Sequence, residues 1–150
     1  MRLVGIAVCC LVAILLLLAF WQHKAMASGL PERIVCSSPI DAHLKAGPNA
    51  IEVLGTGSMA PFIQAAPKNA DPLKTVVALA KPSDKTFSEI KKGDLIVYWA
   101  DWAHGNVIHQ AAQKDSGGWI MSGLHNAQSE SFARVTAESF RAVIEEVYVW

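Results

Sequence analysis

The sequence predicts a mainly β fold, a small antiparallel β-sheet domain preceded by an N-terminal transmembrane helix. The helix is predicted by an uncharged apolar run of about 19 residues from Leu3 to Trp21, enough to cross a bilayer core of roughly 30 Å. The sheet is predicted by short β-rich runs separated by turn residues. With 52% hydrophobic and 17% charged residues, the 150-residue chain is not disordered and has room for one such domain.

Residues 1–27 are interpreted as a membrane anchor or signal segment. Lys24 follows the apolar run, and Ala25-Met26-Ala27 fits the small-x-small pattern of a signal-peptide cleavage site. A retained anchor and a cleaved signal both stay open, and the length of the run favours the anchor. Arg2 favours an N-terminus on the inner side, although Lys24 opposes it. We therefore expect a single-pass protein that contacts membrane lipid and carries its domain on the exported side.

The rest of the chain divides into an arm and a domain. Residues 28–50 are rich in Pro, Ser, Gly and Ala without a period, which predicts a linker or irregular arm. Residues 51–150 form the β-rich domain, with predicted strands at 51–54, 75–80, 95–99, 106–111, 119–122 and 141–150. Residues 115–118 read as a hairpin turn. Residues 138–145 are also compatible with a helix, but the β-branched and aromatic content of the last run favours a strand.

Charge and composition exclude several classes of protein. Lys plus Arg and Asp plus Glu are balanced at 13 each, so no basic surface for nucleic acid is expected. Of three cysteines, Cys9 and Cys10 lie in the apolar run, which leaves no disulfide scaffold. His104, His109 and His125 match no compact zinc motif, so neither a metal nor another cofactor is expected.

A glycine-flanked serine is the first candidate for chemistry. Gly55, Thr56 and Gly57 lead into Ser58 directly after the first predicted strand. Glycine permits positive φ and close approach, so such a turn presents the hydroxyl clear of neighbouring side chains. Its N–H groups can converge beside the hydroxyl, as an oxyanion site requires. Such turns are common, and this one alone does not predict an enzyme.

A larger pattern supports the serine. Thr56-Gly57-Ser58-Met59-Ala60-Pro61 is followed by Gly93-Asp94-Leu95-Ile96-Val97 and then by His109. This order, over residues 51–150, resembles the type I signal peptidases and the related LexA-like serine peptidases, whose serine motif reads Ser-Gly-Ser-Met-x-Pro. The resemblance implies a β domain of that type. It also implies a membrane-bound serine endopeptidase that cuts an exported precursor protein or peptide after small residues.

The resemblance also implies roles for individual residues. Ser58 would be the nucleophile, and His109 stands where the endoplasmic-reticulum and archaeal members place a histidine base. Thr56 and the backbone at Gly57 would hold the oxyanion, and Met59 would line the substrate pocket. A second set of motif residues would be structural: Pro61, Gly93 and Asp94.

One part of the family pattern is missing. The histidine-type members have Gly-Asp-Asn-Asn and a further Asp, whereas here Leu124 follows Gly123. Glu130 falls where the later Asp would stand and is the tentative third catalytic residue. The loss of the first Asp keeps open a catalytically impaired scaffold that binds a partner at the membrane. A dedicated processing peptidase of a secretion or conjugation system, with Lys81, Lys85 or Lys92 as base, is a further alternative.

Overall fold

The computed structural model describes residues 29–125 and 130–150, the stretch 130–133 by its backbone alone. Eight strands form one sheet: β1 (Glu32–Val35), β2 (Ile51–Leu54), β3 (Val76–Pro82), β4 (Leu95–Ala100), β5 (Gly105–Asp115), β6 (Gly118–Ser122), β7 (Glu130–Val135) and β8 (Phe140–Val149). One α-helix, α1 (Pro39–Ala46), and two 3₁₀ turns, Phe87–Glu89 and Asp101–Ala103, complete the described elements. The prediction of a mainly β domain is confirmed.

The strands follow the order β2-β3-β8-β4-β5-β6-β7, and all of these neighbours are antiparallel. β1 lies parallel to the end of β8, from Glu32 beside Glu146 to Val35 beside Val149. Two long strands change partner along their length. β8 pairs with β4 as far as Ile144 and with β3 from that residue onward. β5 pairs with β4 up to Gln110 and with β6 from Gln110 onward.

The apolar run of β4 reflects burial on both faces of the sheet. Leu95 and Val97 pack in one hydrophobic cluster with Met59, while Ile96 and Tyr98 pack in a second cluster on the other face. Side chains alternate along a strand, so a continuous apolar run is what two covered faces require. The six predicted strands are all present, and the chain end is the strand β8 rather than a helix.

The prediction of an irregular arm at 28–50 is wrong for its described part. α1 begins after Ser38, whose hydroxyl accepts a hydrogen bond from Asp41 N–H at 3.2 Å, with Pro39 in the first turn. The helix buries Ala42 and Ala46 against Leu79 and Tyr148 in a third cluster. The cap was readable in the sequence, whereas β1 forms only through its pairing with β8.

Strand β7 was also missed, because the apolar and polar residues of Glu130–Val135 (ESFARV) do not alternate regularly and the run directly follows a polar stretch. None of the helices in the described part of the chain is long and apolar enough to span a membrane. The anchor predicted at residues 1–27 lies outside the described residues and stays a prediction.

Packing of α1 on β3 predicts unequal costs for two identical substitutions. Leu79 of β3 is fully buried in the cluster that it shares with α1, so Leu79→Ala is expected to lower the free energy of unfolding by about 2–5 kcal/mol. Leu44 lies on α1 and is 80% exposed, so Leu44→Ala is expected to change the free energy of unfolding by less than about 0.5 kcal/mol. Urea unfolding followed by tryptophan fluorescence measures both, and equal costs would contradict this packing.

Candidate functional site

Ser58 lies in a compact turn directly after β2. The backbone closes this loop twice, from Gly55 N–H to the Thr75 carbonyl at 3.0 Å and from Ala66 N–H to the Gly55 carbonyl at 2.9 Å. A Cβ on Gly55 would stand 2.5 Å from the Ala66 nitrogen, so only glycine permits this approach. Gly57 has φ of 84°, the left-handed conformation that turns the chain into Ser58. The local sequence thus fixes where the serine stands.

Thr56 and Ser58 present their hydroxyls next to each other. The Thr56 Oγ1 and Ser58 Oγ atoms are 3.5 Å apart. The Ser58 carbonyl accepts a hydrogen bond from His125 N–H at 3.0 Å, which ties the serine turn to the segment after β6. A hydroxyl beside the nucleophile is a donor that can serve an oxyanion.

Met59 and the other motif residues lie around this turn. Met59 is 3% exposed in the cluster shared with Leu95 and Val97, so the structure places it in the core and not in the wall of a pocket. Pro61 is exposed and does not line the cavity described below. Gly93 donates its N–H to the Ala111 carbonyl at 2.8 Å. The Asp94 carboxylate accepts a hydrogen bond from Lys91 N–H at 2.9 Å, which stabilises the turn before β4.

Ser58, Thr56 and His109 line one cavity of about 600 Å³. Its walls come from β2 on one side and from residues 105–109 of β5 on the other. Apolar side chains close the floor and the rim: Val53, Leu54, Leu73, Val97, Trp102 and Ile108. Residues about 50 positions apart in the sequence therefore share one concave surface.

Both walls of the cavity are sheet edges. β2 ends the strand order, and within the described chain its pairing is with β3 alone. Residues 105–109 of β5 pair with β4, while the register with β6 begins at Gln110. Backbone N–H and C=O groups on sheet edges can pair with an added strand.

His109 is a buried imidazole. Its side chain is 2% exposed, and its Nδ1 atom lies 3.3 Å from the Tyr98 hydroxyl oxygen. Ile108 packs in the Met59 cluster, whereas Tyr98 belongs to the cluster on the other face. Because neighbouring side chains alternate, the imidazole and Met59 lie on opposite faces of β5. Tyr98 is thus one contact of the His109 ring.

Burial lowers the pKa of His109 to about 4, because the charged imidazolium loses its hydration. The ring is therefore neutral at pH 7 and able to accept a proton.

The other predicted groups lie elsewhere. Lys81 forms ion pairs with Glu145 at 3.1 Å and Glu146 at 3.2 Å, and these hydrogen bonds raise its pKa. Lys85 Nζ lies 3.5 Å from an Asp94 carboxylate oxygen. Neither of these lysines, nor the exposed Lys92, lines the cavity. In the part of the chain that the structure covers, no three His, Cys, Asp or Glu side chains gather as a metal site would require.

The structure describes Glu130 by its backbone alone. It is the first residue of β7 and stands opposite Met121 of β6. The prediction that its carboxylate orients His109 lies outside the described side chains. Leu124, at the place of the missing Asp, packs against the Met59 cluster. Sequence reasoning missed Tyr98, which reads as an ordinary β-strand residue within a long apolar run.

The buried imidazole predicts a pH-dependent stability. The folded-state pKa of about 4 lies below the ordinary value of 6.5, so the unfolded chain binds the proton more readily between these values. The contribution to stability is complete above about pH 6.5 and is lost as the pH falls toward 4, by about 3 kcal/mol at most.

The unfolding free energy measured from pH 7 to pH 4 is expected to fall more steeply for the wild type than for His109→Gln. The control His43→Gln, on the exposed face of α1, keeps the buried imidazole and is expected to follow the wild-type curve. Parallel curves for the wild type and His109→Gln would contradict the burial of this ring.

No family model matches the chain, and neither the curated proteins nor the solved structures compared with it include a match.

Proposed function

We propose that this chain is a membrane-bound serine endopeptidase that cleaves exported precursor proteins after small residues. Ser58 is the nucleophile and His109 the general base in this proposal. The observation that carries it is a single cavity, between two sheet edges, that Thr56, Ser58 and His109 all line. The substrate class, the membrane anchor at residues 1–27 and the small-residue preference rest on the resemblance of the serine and Gly-Asp motifs to signal peptidases.

Substrate binding follows from the two edges. An extended peptide fits between β2 and residues 105–109 of β5 as an added strand, paired through its backbone. The apolar floor with Val53, Val97 and Ile108 receives alternate side chains of that peptide. The scissile carbonyl would then lie at the Ser58 end of the groove.

Acylation uses the serine and the histidine in turn. The Ser58 Oγ bonds to the scissile carbonyl carbon while its proton passes to His109 Nε2. The oxyanion is stabilised by the Thr56 hydroxyl and the Ser58 N–H. Collapse of this intermediate breaks the C–N bond, and His109 returns the proton to the leaving amine. Water then transfers a proton to His109 and bonds to the acyl carbon. The ester C–O bond breaks as His109 returns the proton to the Ser58 Oγ, which releases the new carboxyl end and restores both residues.

The structure gives two reasons to favour His109 over a lysine base. His109 lines the same cavity as Ser58, whereas Lys81 is held between two glutamates outside it. The pKa of His109 is lowered by burial, which keeps it neutral, while the pKa of Lys81 is raised by its partners, which keeps it protonated. Catalytic hydrogen bonds are often incomplete before substrate binds, so we assign the closing of the Ser58–His109 contact to the bound complex.

Cleavage of a model precursor with an Ala-x-Ala site tests this proposal. The full-length protein in detergent is expected to cut after the second Ala. Ser58→Ala is expected to abolish cleavage, and His109→Gln to slow it by about 10²–10⁴-fold through loss of the base. The controls Ser88→Ala and His43→Ala replace the same residue types outside the cavity and are expected to keep the wild-type rate. Cleavage that survives in Ser58→Ala would sink the assignment, and binding of the precursor without cleavage would favour the scaffold.

Strand addition between two edges predicts that the peptide backbone matters along the whole segment that lies in the groove. Ser58→Ala protein is titrated with fluorescent Ala-x-Ala peptides, each carrying one N-methylated amide. Methylation of an amide between the two edges is expected to weaken binding by up to about tenfold, since its N–H pairs with β2 or with β5 and that hydrogen bond is lost. Methylation of an amide in the flanking residues outside the groove is the matched control. Binding that is unaffected by methylation inside the groove would argue against an added strand.

A further inference from the structure

Tyr98 belongs to none of the sequence motifs described above, yet its hydroxyl is buried beside the His109 ring. It is 1% exposed and stands on β4, between β5 and β8. In the β4–β5 register Tyr98 lies opposite Val107, two residues before His109, so the tyrosine and the histidine are diagonal neighbours on one face. Their ring centroids are 6.3 Å apart. Rigid strands thus hold the hydroxyl at Nδ1 of the imidazole.

Building on the proposed function, we propose that Tyr98 is the positioning residue of the base. Its hydroxyl keeps the His109 ring in the tautomer that is protonated at Nδ1. The 3.3 Å contact joins the Tyr98 oxygen to Nδ1, the nitrogen that a third catalytic residue holds in a Ser-His-Asp site. The Tyr98 hydroxyl can accept from Nδ1–H or donate to Nδ1, and we assign the first arrangement, in which Nε2 carries a lone pair and can take the Ser58 proton. The opposite tautomer would protonate Nε2 and leave it unable to do so.

The Tyr98 hydroxyl can hold the His109 ring without changing its own charge during the reaction. When Nε2 accepts the serine proton, the ring becomes an imidazolium and Nδ1–H still donates to the Tyr98 oxygen, so no further proton moves. A neutral acceptor supports that charge less than a carboxylate does. Such a partner also fits a sequence in which Leu124 replaces the first Asp of the related motif.

The test reads the tautomer directly, independently of catalysis. ¹⁵N-histidine spectra of the full-length protein in detergent at pH 7 report which ring nitrogen carries the proton, and His109→Gln identifies the signals of His109. The wild type is expected to show a protonated Nδ1 and an unprotonated Nε2. Tyr98→Phe removes only the hydroxyl and is expected to lose this preference. Tyr148→Phe is the matched control, because its hydroxyl donates to Glu146 and not to His109.

Cleavage kinetics give the second readout. Tyr98→Phe is expected to lower kcat by about tenfold with little change in KM, as expected for one neutral hydrogen bond, while Tyr148→Phe keeps both. A wild-type ring protonated at Nε2, or an unchanged tautomer in Tyr98→Phe, overturns the role of Tyr98. If Tyr98→Phe does not fold, the wild-type spectrum decides by itself. If the wild type cleaves nothing, the peptidase proposal fails while the tautomer result still stands.

Discussion

The candidate site depends on the change of pairing partner along β5. Up to Gln110 the strand pairs with β4, and its pairing with β6 begins at that residue, so among the described residues no strand pairs with the second edge of residues 105–109. His109 is the last residue before that change. At this point the Gln110 side-chain amide donates to the Gly93 carbonyl at 3.0 Å in a buried position, which links β5 to the turn before β4. Without this switch, β6 would cover the edge that forms one wall of the cavity.

Burial of His109 has opposite consequences for stability and for chemistry. Loss of hydration disfavours the imidazolium and lowers the pKa, so the folded protein loses stability as the pH falls. The same effect keeps the ring unprotonated over a wide range of pH. A buried base needs a partner that fixes the ring, since solvent cannot orient it, and the nearby Tyr98 hydroxyl offers that contact.

Elements with a strong local signal were predictable from the sequence. The β-branched runs gave β2, β4 and β8, and the glycines around Thr56 gave the turn that presents Ser58. Elements that form because of the strands they pair with, and not because of their own sequence, were missed. β1 is a four-residue, mostly exposed strand that pairs with β8, and β7 is a short strand of mixed apolar and polar residues that pairs with β6. α1 carried a readable Ser-Pro start, but its helix is short and its surroundings look like a linker.

The sequence by itself determined the β class, the position of the serine turn and the residue types available for chemistry, because backbone propensity and turn geometry act over a few residues. Only the tertiary structure decided which of these residues share a cavity. It placed Met59 in the core, paired Lys81 with two glutamates, and set Tyr98 beside His109. These outcomes depend on strand register and sheet curvature, which join residues far apart in the chain and leave no mark in a local pattern.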